Sequence, residues 1–393
     1  MQQTPVTQLP IVTGSSRVGK HMPGSGSTTI RPALLDGLQA GGRMRYRWLG
    51  RSGVRVSELC LGTMTFGEEH GFGADLDESR RMFAAFVDAG GNFIDTANMY
   101  TQGSSERFLA EFIAPLRARL VVASKFTMST DPADPNGGGN SRKNLTQALD
   151  ATLRRLRTDY LDLYWVHAWD QQTPLDEVLR ALDDAVRAGK ILYTGFSNVP
   201  AWVVARAQTM AELRGWTRFV ALQLHYSLVE RNVERELIPC AQALGLAVTA
   251  WSPLAGGVLS GKYSRDPVQR AAQPGRLTTT SWGKAFLSER NLAIADAVAV
   301  QAQRLGRSAA QVAIRWLLER PCAAIPIVGA RSAAQLRELL GAQDFELDAT
   351  ARDALDAAGR IETGYPGSLL ASEGSQRMVH GAHAPASLAG GRD

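Results

Sequence analysis

Cysteine is scarce and poorly placed for chemistry. Cys60, Cys240 and Cys322 are odd in number, far apart and flanked by apolar residues. That pattern argues against a disulfide framework and a metal knuckle, and points to a reducing, cytoplasmic setting. Histidine is sparse too: His70, His167 and His225 stand isolated in the regular part of the chain, so no metal site is expected. Long apolar runs are missing. None approaches the roughly 20 residues a membrane helix needs, and residues 1–43 lack a charged-then-apolar signal pattern, so no membrane association is expected. A large excess of one charge is also absent, since the net charge is only +5 and the two signs alternate along the helical stretches. A nucleic-acid-binding stripe is therefore not expected, while a bound polyanion would fit the mild basic excess. Finally, the regular region has no GxGxxG between a strand and a helix and no GxSxG, which disfavours a Rossmann dinucleotide fold and a Ser-His-Asp hydrolase.

What is present begins with periodicity. Residues 1–43 are rich in Gly, Ser, Thr, Pro and Gln without a sustained period, and residues 371–393 are rich in Gly, Ala and Ser; both read as flexible extensions. Between them, residues 44–370 form one unit. YRWLG-RSG-VRVSELC predicts a hairpin around a glycine-containing turn. After it, a short apolar strand followed by an amphipathic helix recurs about eight times. Helices are expected at 76–89, 105–116 and 141–157, the last with Asn140 or Ser141 as N-cap. Thr173-Pro174 should open another, as cap and first residue. Such alternation predicts parallel strands with helical crossovers, either a (β/α)8 barrel or, with less support, an open doubly wound sheet.

Three apolar stretches carry four polar residues at or just past the point where a strand should stop. They are Asp95 in NFIDTANMY, Tyr100 at the end of the same stretch, Lys125 in LVVASKF and His167 in DLYWVHAWD. Singly, each has an ordinary structural role: a turn cap, a core phenol, a snorkelling lysine, a satisfied core histidine. Together, in a closed parallel barrel, they converge on one face. An ammonium beside a phenol lowers the phenol's pKa towards working pH and lets it protonate a carbonyl oxygen, while a neutral imidazole holds that oxygen and the carboxylate fixes the ammonium. A nucleophile is lacking, and a bound hydride donor would supply one.

Two further stretches suit a nucleotide. AWSPLAGGVLSGKY nearly matches a P-loop from Gly256 to Gly261 and Lys262, but Tyr263 stands where a magnesium-binding hydroxyl belongs, so its amides and lysine suit a pyrophosphate without hydrolysis. IPIVGARSAAQLRELL sets Gly329 after a strand and Arg331 at a helix start, where a guanidinium can meet a phosphate or merely be solvated.

LGTMTFG, NFIDTANMY, VVASKF, DLYWVHAWD, GFSN, LQLHYSLVER, WSPLAGGVLSGKY and GARSAAQLREL occur in that order, and with them residues 44–370 resemble the aldo-keto reductases, in particular the branch of aryl-alcohol dehydrogenases. The resemblance implies a (β/α)8 TIM barrel, with an N-terminal β-hairpin closing the bottom and extra C-terminal helices. It also implies metal-free, NADP(H)-dependent reduction of a small carbonyl substrate, aromatic or bulky. By the same resemblance Tyr100 is the general acid, Lys125 its activator, Asp95 the lysine's partner and His167 the group that orients the carbonyl. The nicotinamide would stack on Trp251, with its carboxamide held by Ser197, Asn198 and Gln223, over a floor of Gly62, Thr63 and Met64. Ser252, Pro253, Leu254, Gly256, Ser260, Gly261 and Lys262 would wrap the pyrophosphate, with Lys262, Arg276 and Arg331 near the 2′-phosphate, Gly329 among the cofactor contacts, and Gln335 and Glu338 facing adenine. Leu339 departs from the asparagine common there, which leaves one adenine contact without its usual group. Apolar cleft walls are expected from Met64, Phe66, Trp169 and Tyr226. The potassium-channel β subunits resemble the same family and use the fold mainly for binding; their usual asparagine at the position of His167 makes a regulatory subunit the alternative reading. Oligomeric state does not follow from these motifs.

Overall fold

A computed structural model describes residues 44–263, 265, 277 and 283–381. The chain opens with strands β1 (Tyr46–Trp48) and β2 (Arg55–Ser57), paired antiparallel as the glycine-containing turn predicts. Eight parallel strands then close into a barrel: β3 (Cys60–Gly62), β4 (Phe93–Asp95), β5 (Val121–Phe126), β6 (Leu161–Val166), β7 (Ile191–Ser197), β8 (Phe219–His225), β9 (Ala247–Trp251) and β10 (Ile325–Val328). They neighbour one another in chain order, and β10 pairs with both β9 and β3 to complete the ring. The barrel, rather than an open sheet, is thus the architecture.

Helices return the chain between strands: α1 (Leu76–Asp88), α2 (Ser104–Ile113), α3 (Arg142–Leu156), α4 (Leu175–Arg187), α5 (Ala201–Arg214), α6 (Leu237–Leu244), α7 (Glu289–Leu305), α8 (Ala309–Leu318) and α9 (Ala333–Leu340). Beyond them lie α10 (Ala349–Ala358) and two short helices, α11 (Gly367–Leu370) and α12 (Glu373–His380), the last inside the segment expected as a tail. Ser141 caps α3 by accepting the Asn144 amide. The start of α4 differs from expectation. Pro174 itself is the N-cap, and the Thr173 hydroxyl donates instead to Asp170, 2.6 Å away, because that carboxylate gathers the whole turn after β6.

Two apolar layers follow from the strand period of two. Outward side chains meet the helices. Inward ones fill the barrel, where Cys60, Phe93, Ala123, Leu163, Trp165, Ala221, Ile325 and Ile327 form one buried cluster. Leu49 and Val56 of the hairpin complete that cluster, and Gly50 lies so close to the Val220 carbonyl that a β-carbon would sit 2.2 Å from it. The hairpin therefore plugs the end where β8 and β9 begin. Trp165 is the largest interior side chain, and it fits only because its neighbour across the β6–β7 ladder is Gly195, whose missing β-carbon would fall 2.3 Å from the indole.

Gly195→Ala should therefore overpack the barrel and cost about 2 kcal/mol, read as a lower urea midpoint. Trp165→Phe in the same chain should return part of the loss; additive losses would show that the two positions do not share one space.

Candidate active site

The barrel register selects which residues reach the open end. Counting by two from the interior residues Phe93, Ala123, Trp165 and Gly195 gives Asp95, Lys125, His167 and Ser197, and the same count from Ala221 gives Gln223 and His225. Thr249 leads likewise to Trp251, Cys60 to Gly62 and Ile327 to Gly329. The strand ends thus present one ring of polar and aromatic groups at a single mouth.

Lys125 is fully buried and its ammonium has three donors, each with an acceptor. Asp95 Oδ2 lies at 2.5 Å, the Thr96 carbonyl at 2.8 Å and the Tyr100 hydroxyl at 3.0 Å. The second Asp95 oxygen accepts from Gln223 Nε2 at 3.0 Å, so this amide belongs to the carboxylate's network as well as to the cleft. Burial pulls the ammonium's pKa down, but Asp95 and Tyr100 more than offset it, and Lys125 is held above the ordinary lysine value. Tyr100 departs from expectation. Burial raises its phenol above the usual range, and the opposing pull of Lys125 does not cancel that rise. The hydroxyl therefore keeps its proton, and because its oxygen already accepts from Lys125, that proton is directed elsewhere.

His167 stands edge-on to Tyr100, with ring centroids 6.2 Å apart. Burial first, and the Lys125 charge second, push its imidazole pKa down to about 3. It is neutral at physiological pH, and its Nδ1 is buried without a partner among the described residues.

The backbone around this ring is strained. Thr127, Asn198 and Ser252 each directly follow the last residue of β5, β7 and β9, and all three have positive φ, at 98°, 47° and 55°. Each costs on the order of 1–2 kcal/mol, so each needs external support. Thr127 donates to Asn140 Oδ1 at 2.7 Å and accepts the His167 amide at 3.2 Å. Asn198 donates to the His167 carbonyl at 2.8 Å, and Ser252 accepts the Gly256 amide at 3.2 Å. Asn140, a cap candidate by sequence, is buried and binds the Ala168 carbonyl, tying the turn after β5 to the turn after β6.

Residues expected to hold a cofactor fall into two groups. Ser197 donates to the Gln223 carbonyl at 2.9 Å, and Thr63 donates to the Asp95 carbonyl at 3.1 Å, beside the half-buried Met64. After β9 the chain forms a cradle. Gly256 and Gly257 have φ of 67° and 105°, Ser260 donates to the Gly257 carbonyl, and Gly261 again has positive φ, with Lys262 exposed beyond it. Pro253 and Leu254 lead into that turn. Because β10 lies beside β9, Gly329 and the exposed Arg331 emerge on the adjacent strand. Gln335 already accepts the Arg331 amide at 2.9 Å, and the Glu338 carbonyl accepts from Gln311. Arg276 lies outside the described residues. Of the four expected cleft walls, Phe66 packs edge-on against Phe112 in the helix layer and Tyr226 against Trp316, with its hydroxyl on Glu234. Met64 and Trp169 remain partly exposed.

One residue escaped the sequence reading. His225 stacks on Trp251, with centroids 4.1 Å apart and planes at 11°, and the only signal for it was its place two residues beyond Gln223. Its Nε2 and the Trp251 Nε1 are both buried without a partner among the described residues.

A family model described as aldo/keto reductase family matches residues 58–360. Among relatives, an uncharacterized oxidoreductase from Bacillus subtilis is 38% identical over 78% of this chain and 93% of its own length. A norsolorinic acid reductase from Emericella nidulans is 34% identical, covering 83% and 84%. An NADP(+) aryl-alcohol dehydrogenase from Phanerodontia chrysosporium is 32% identical, covering 86% and 91%.

The depressed pKa of His167 has a stability consequence. Below pH 6.5 the unfolded chain takes up a proton there that the folded chain refuses until about pH 3, so folding weakens as pH falls through that window. His167→Asn removes the term. Its urea-derived stability should fall between pH 7 and pH 5 by roughly 1–2 kcal/mol less than that of the wild type. Parallel pH curves for the two proteins would contradict a buried neutral imidazole.

Proposed function

The chain belongs to the aldo/keto reductase family, and from that membership we propose an NADP(H)-dependent oxidoreductase that reduces an aldehyde or ketone to the alcohol, with Tyr100 as general acid. One observation carries the reading. A buried ammonium has its three donors on a carboxylate, a backbone carbonyl and a phenol oxygen, and that phenol keeps its own proton at the barrel mouth next to a neutral imidazole.

The residues at the mouth fit a nicotinamide dinucleotide. Trp251 offers an indole face at a strand end, Gly256 and Gly257 open a turn of positive φ, and Lys262 stands exposed at the end of that turn, with Arg331 exposed just past the neighbouring strand β10. In this reading Trp251, Ser197, Asn198 and Gln223 hold the nicotinamide and the segment from Ser252 to Lys262 holds the phosphates. When bound, the reduced cofactor supplies hydride to the carbonyl carbon. The protein's own residues handle the oxygen. Neutral His167 donates a hydrogen bond that orients it, and Tyr100 delivers a proton as negative charge develops. Lys125 stabilises the phenolate left behind, and Asp95 with Gln223 keeps the ammonium in place. The ammonium and carboxylate cancel, so the site suits an uncharged substrate that becomes anionic only in the transition state. The half-buried Met64 and Trp169 favour an apolar, aromatic or bulky carbonyl compound, in keeping with the aryl-alcohol name of one relative. A cytoplasmic setting is part of the same reading, supported by three cysteines that are all free thiols.

Purified protein should oxidise NADPH when given nitrobenzaldehyde, and Tyr100→Phe should lower kcat by about 10³-fold with NADPH affinity nearly unchanged. Undiminished turnover in the variant would remove Tyr100 from its role. Tight NADPH binding without turnover across a panel of aldehydes and ketones would favour a regulatory nicotinamide-binding subunit instead.

A further inference from the structure

Tyr100 enters an improbable piece of backbone. The single turn Tyr100–Gly103 carries Thr101 at φ 46°, ψ 47° and Gln102 at φ 51°, ψ 36°, followed by Gly103 at φ 84°. Two consecutive non-glycine residues in the left-handed region do not hold themselves there, because each side chain crowds its own carbonyl. The loop between β3 and α1 supports them. The Thr101 hydroxyl donates to the Phe66 carbonyl at 2.6 Å, Ser104 donates to Glu69, and the Thr101 amide donates to His70 Nε2 at 3.0 Å. From α2, Arg107 donates to the Gln102 carbonyl and to Ser104.

The His70 contact differs from the others in kind. Thr101 is fully buried, whereas His70 is exposed, its ring stacked near Phe72 with centroids 5.9 Å apart. An imidazole accepts a hydrogen bond only when neutral, with its one proton on the other nitrogen; an imidazolium donates from both and accepts from neither. One of the supports under Thr101, the residue that follows the proposed general acid, thus comes from a group in contact with solvent. Glu68 and Glu69 precede it on its own loop; Glu69 is linked through Ser104 to Arg107 of α2, and across the turn Arg155 of α3 packs against Gly103 and is paired with Glu106.

We infer that His70 is a positioning residue for Tyr100: in its neutral form it pins the left-handed turn at Thr101, and protonation of its ring frees that turn and slackens the phenol's placement. The inference rests on Tyr100 being the general acid, as proposed above. It makes part of the loss of turnover on acidification a property of an exposed loop, separate from the buried residues of the mouth.

Steady-state kinetics with NADPH and nitrobenzaldehyde across pH, for wild type, His70→Gln and His70→Ala, test it. Glutamine offers a carbonyl oxygen that accepts the same amide and does not titrate. Wild-type kcat should fall on acidification, and His70→Gln should retain kcat at neutral pH and lose that part of the fall. His70→Ala should lose about tenfold in kcat at neutral pH, a deficit that shrinks on acidification as the wild type loses the same contact, with NADPH affinity unchanged. An acid limb identical in wild type and His70→Gln, with undiminished kcat in His70→Ala, would overturn the inference. Hydrogen exchange at the Thr101 amide tests the contact without turnover: its protection factor should drop on acidification in wild type and stay constant in His70→Gln. Equal loss in both would also overturn it. Wild type that shows this exchange but reduces no carbonyl at any pH would instead count against the proposed activity, leaving the contact intact.

Discussion

A lysine ammonium sealed inside a barrel is tolerable only if every one of its protons is spoken for, and that requirement organises the mouth. Removing a charge from water costs several kcal/mol, which a single partner at imperfect geometry does not recover. Here Asp95, the Thr96 carbonyl and Tyr100 supply all three acceptors. Two of the three arrive from the end of β4 and one from the turn beyond it, so β4 and β5 must be adjacent, parallel and in the register that sets Asp95 beside Ala123. A slip by one residue would turn Lys125 outward into the helix layer, where Phe126 now packs on Tyr164. The same pairing that makes the phenol useful therefore helps to specify how the strands align.

Strain is distributed in a way that agrees with this. Several positive-φ residues that are not glycine sit immediately past strand ends at the mouth; Thr127 and Asn198 are tied by hydrogen bonds to the turn after β6, and Ser252 is held within its own turn by the Gly256 amide. The turns after β5, β6 and β7 are laced through Thr127, Asn140, His167 and Asn198, so none can shift alone. Orientation at the mouth is thus held by contacts between loops, whereas the ring of strands is held by the apolar layers inside and outside it. The separation lets loop residues vary without disturbing the barrel, and lets the polar ring be rigid without burying more charge than one ion pair.

Much of this was legible before any coordinates. The alternation of strands and amphipathic helices predicts parallel pairing, and Lys125 and His167 stand out through their joint placement at the ends of successive apolar strands, since each alone has an ordinary structural role. Cap chemistry leaves the start of α3 to Asn140 or Ser141, and Ser141 is the cap. What escaped were contacts between segments distant in sequence. Asn140 read as a cap and is a bridge between loops, since its hydrogen bonds go to Thr127 and Ala168. Phe66 and Tyr226 read as cleft walls because they follow strand ends, but Phe66, four residues past β3, packs on Phe112, and the parity of β8 turns Tyr226 outward, where its hydroxyl meets Glu234. His225 carries only the signal of its strand parity with Gln223, and its stacking on Trp251 depends on the pairing of β8 with β9.

The balance of forces on Tyr100 shows why the sign of a neighbour's effect is not enough. A nearby ammonium favours the phenolate, and from sequence that alone suggested a lowered pKa. Burial of the ring acts in the opposite direction, and Asp95 adds to it, so the net displacement is upward. The outcome serves proton donation better than the expected one. A phenol already ionised at rest would have nothing to give, whereas one kept protonated by its surroundings, with a cation fixed 3.0 Å from its oxygen, loses its proton only when a stronger base forms within reach. The carboxylate that neutralises the ammonium at rest therefore also sets how readily the phenol acts, and does so without touching it.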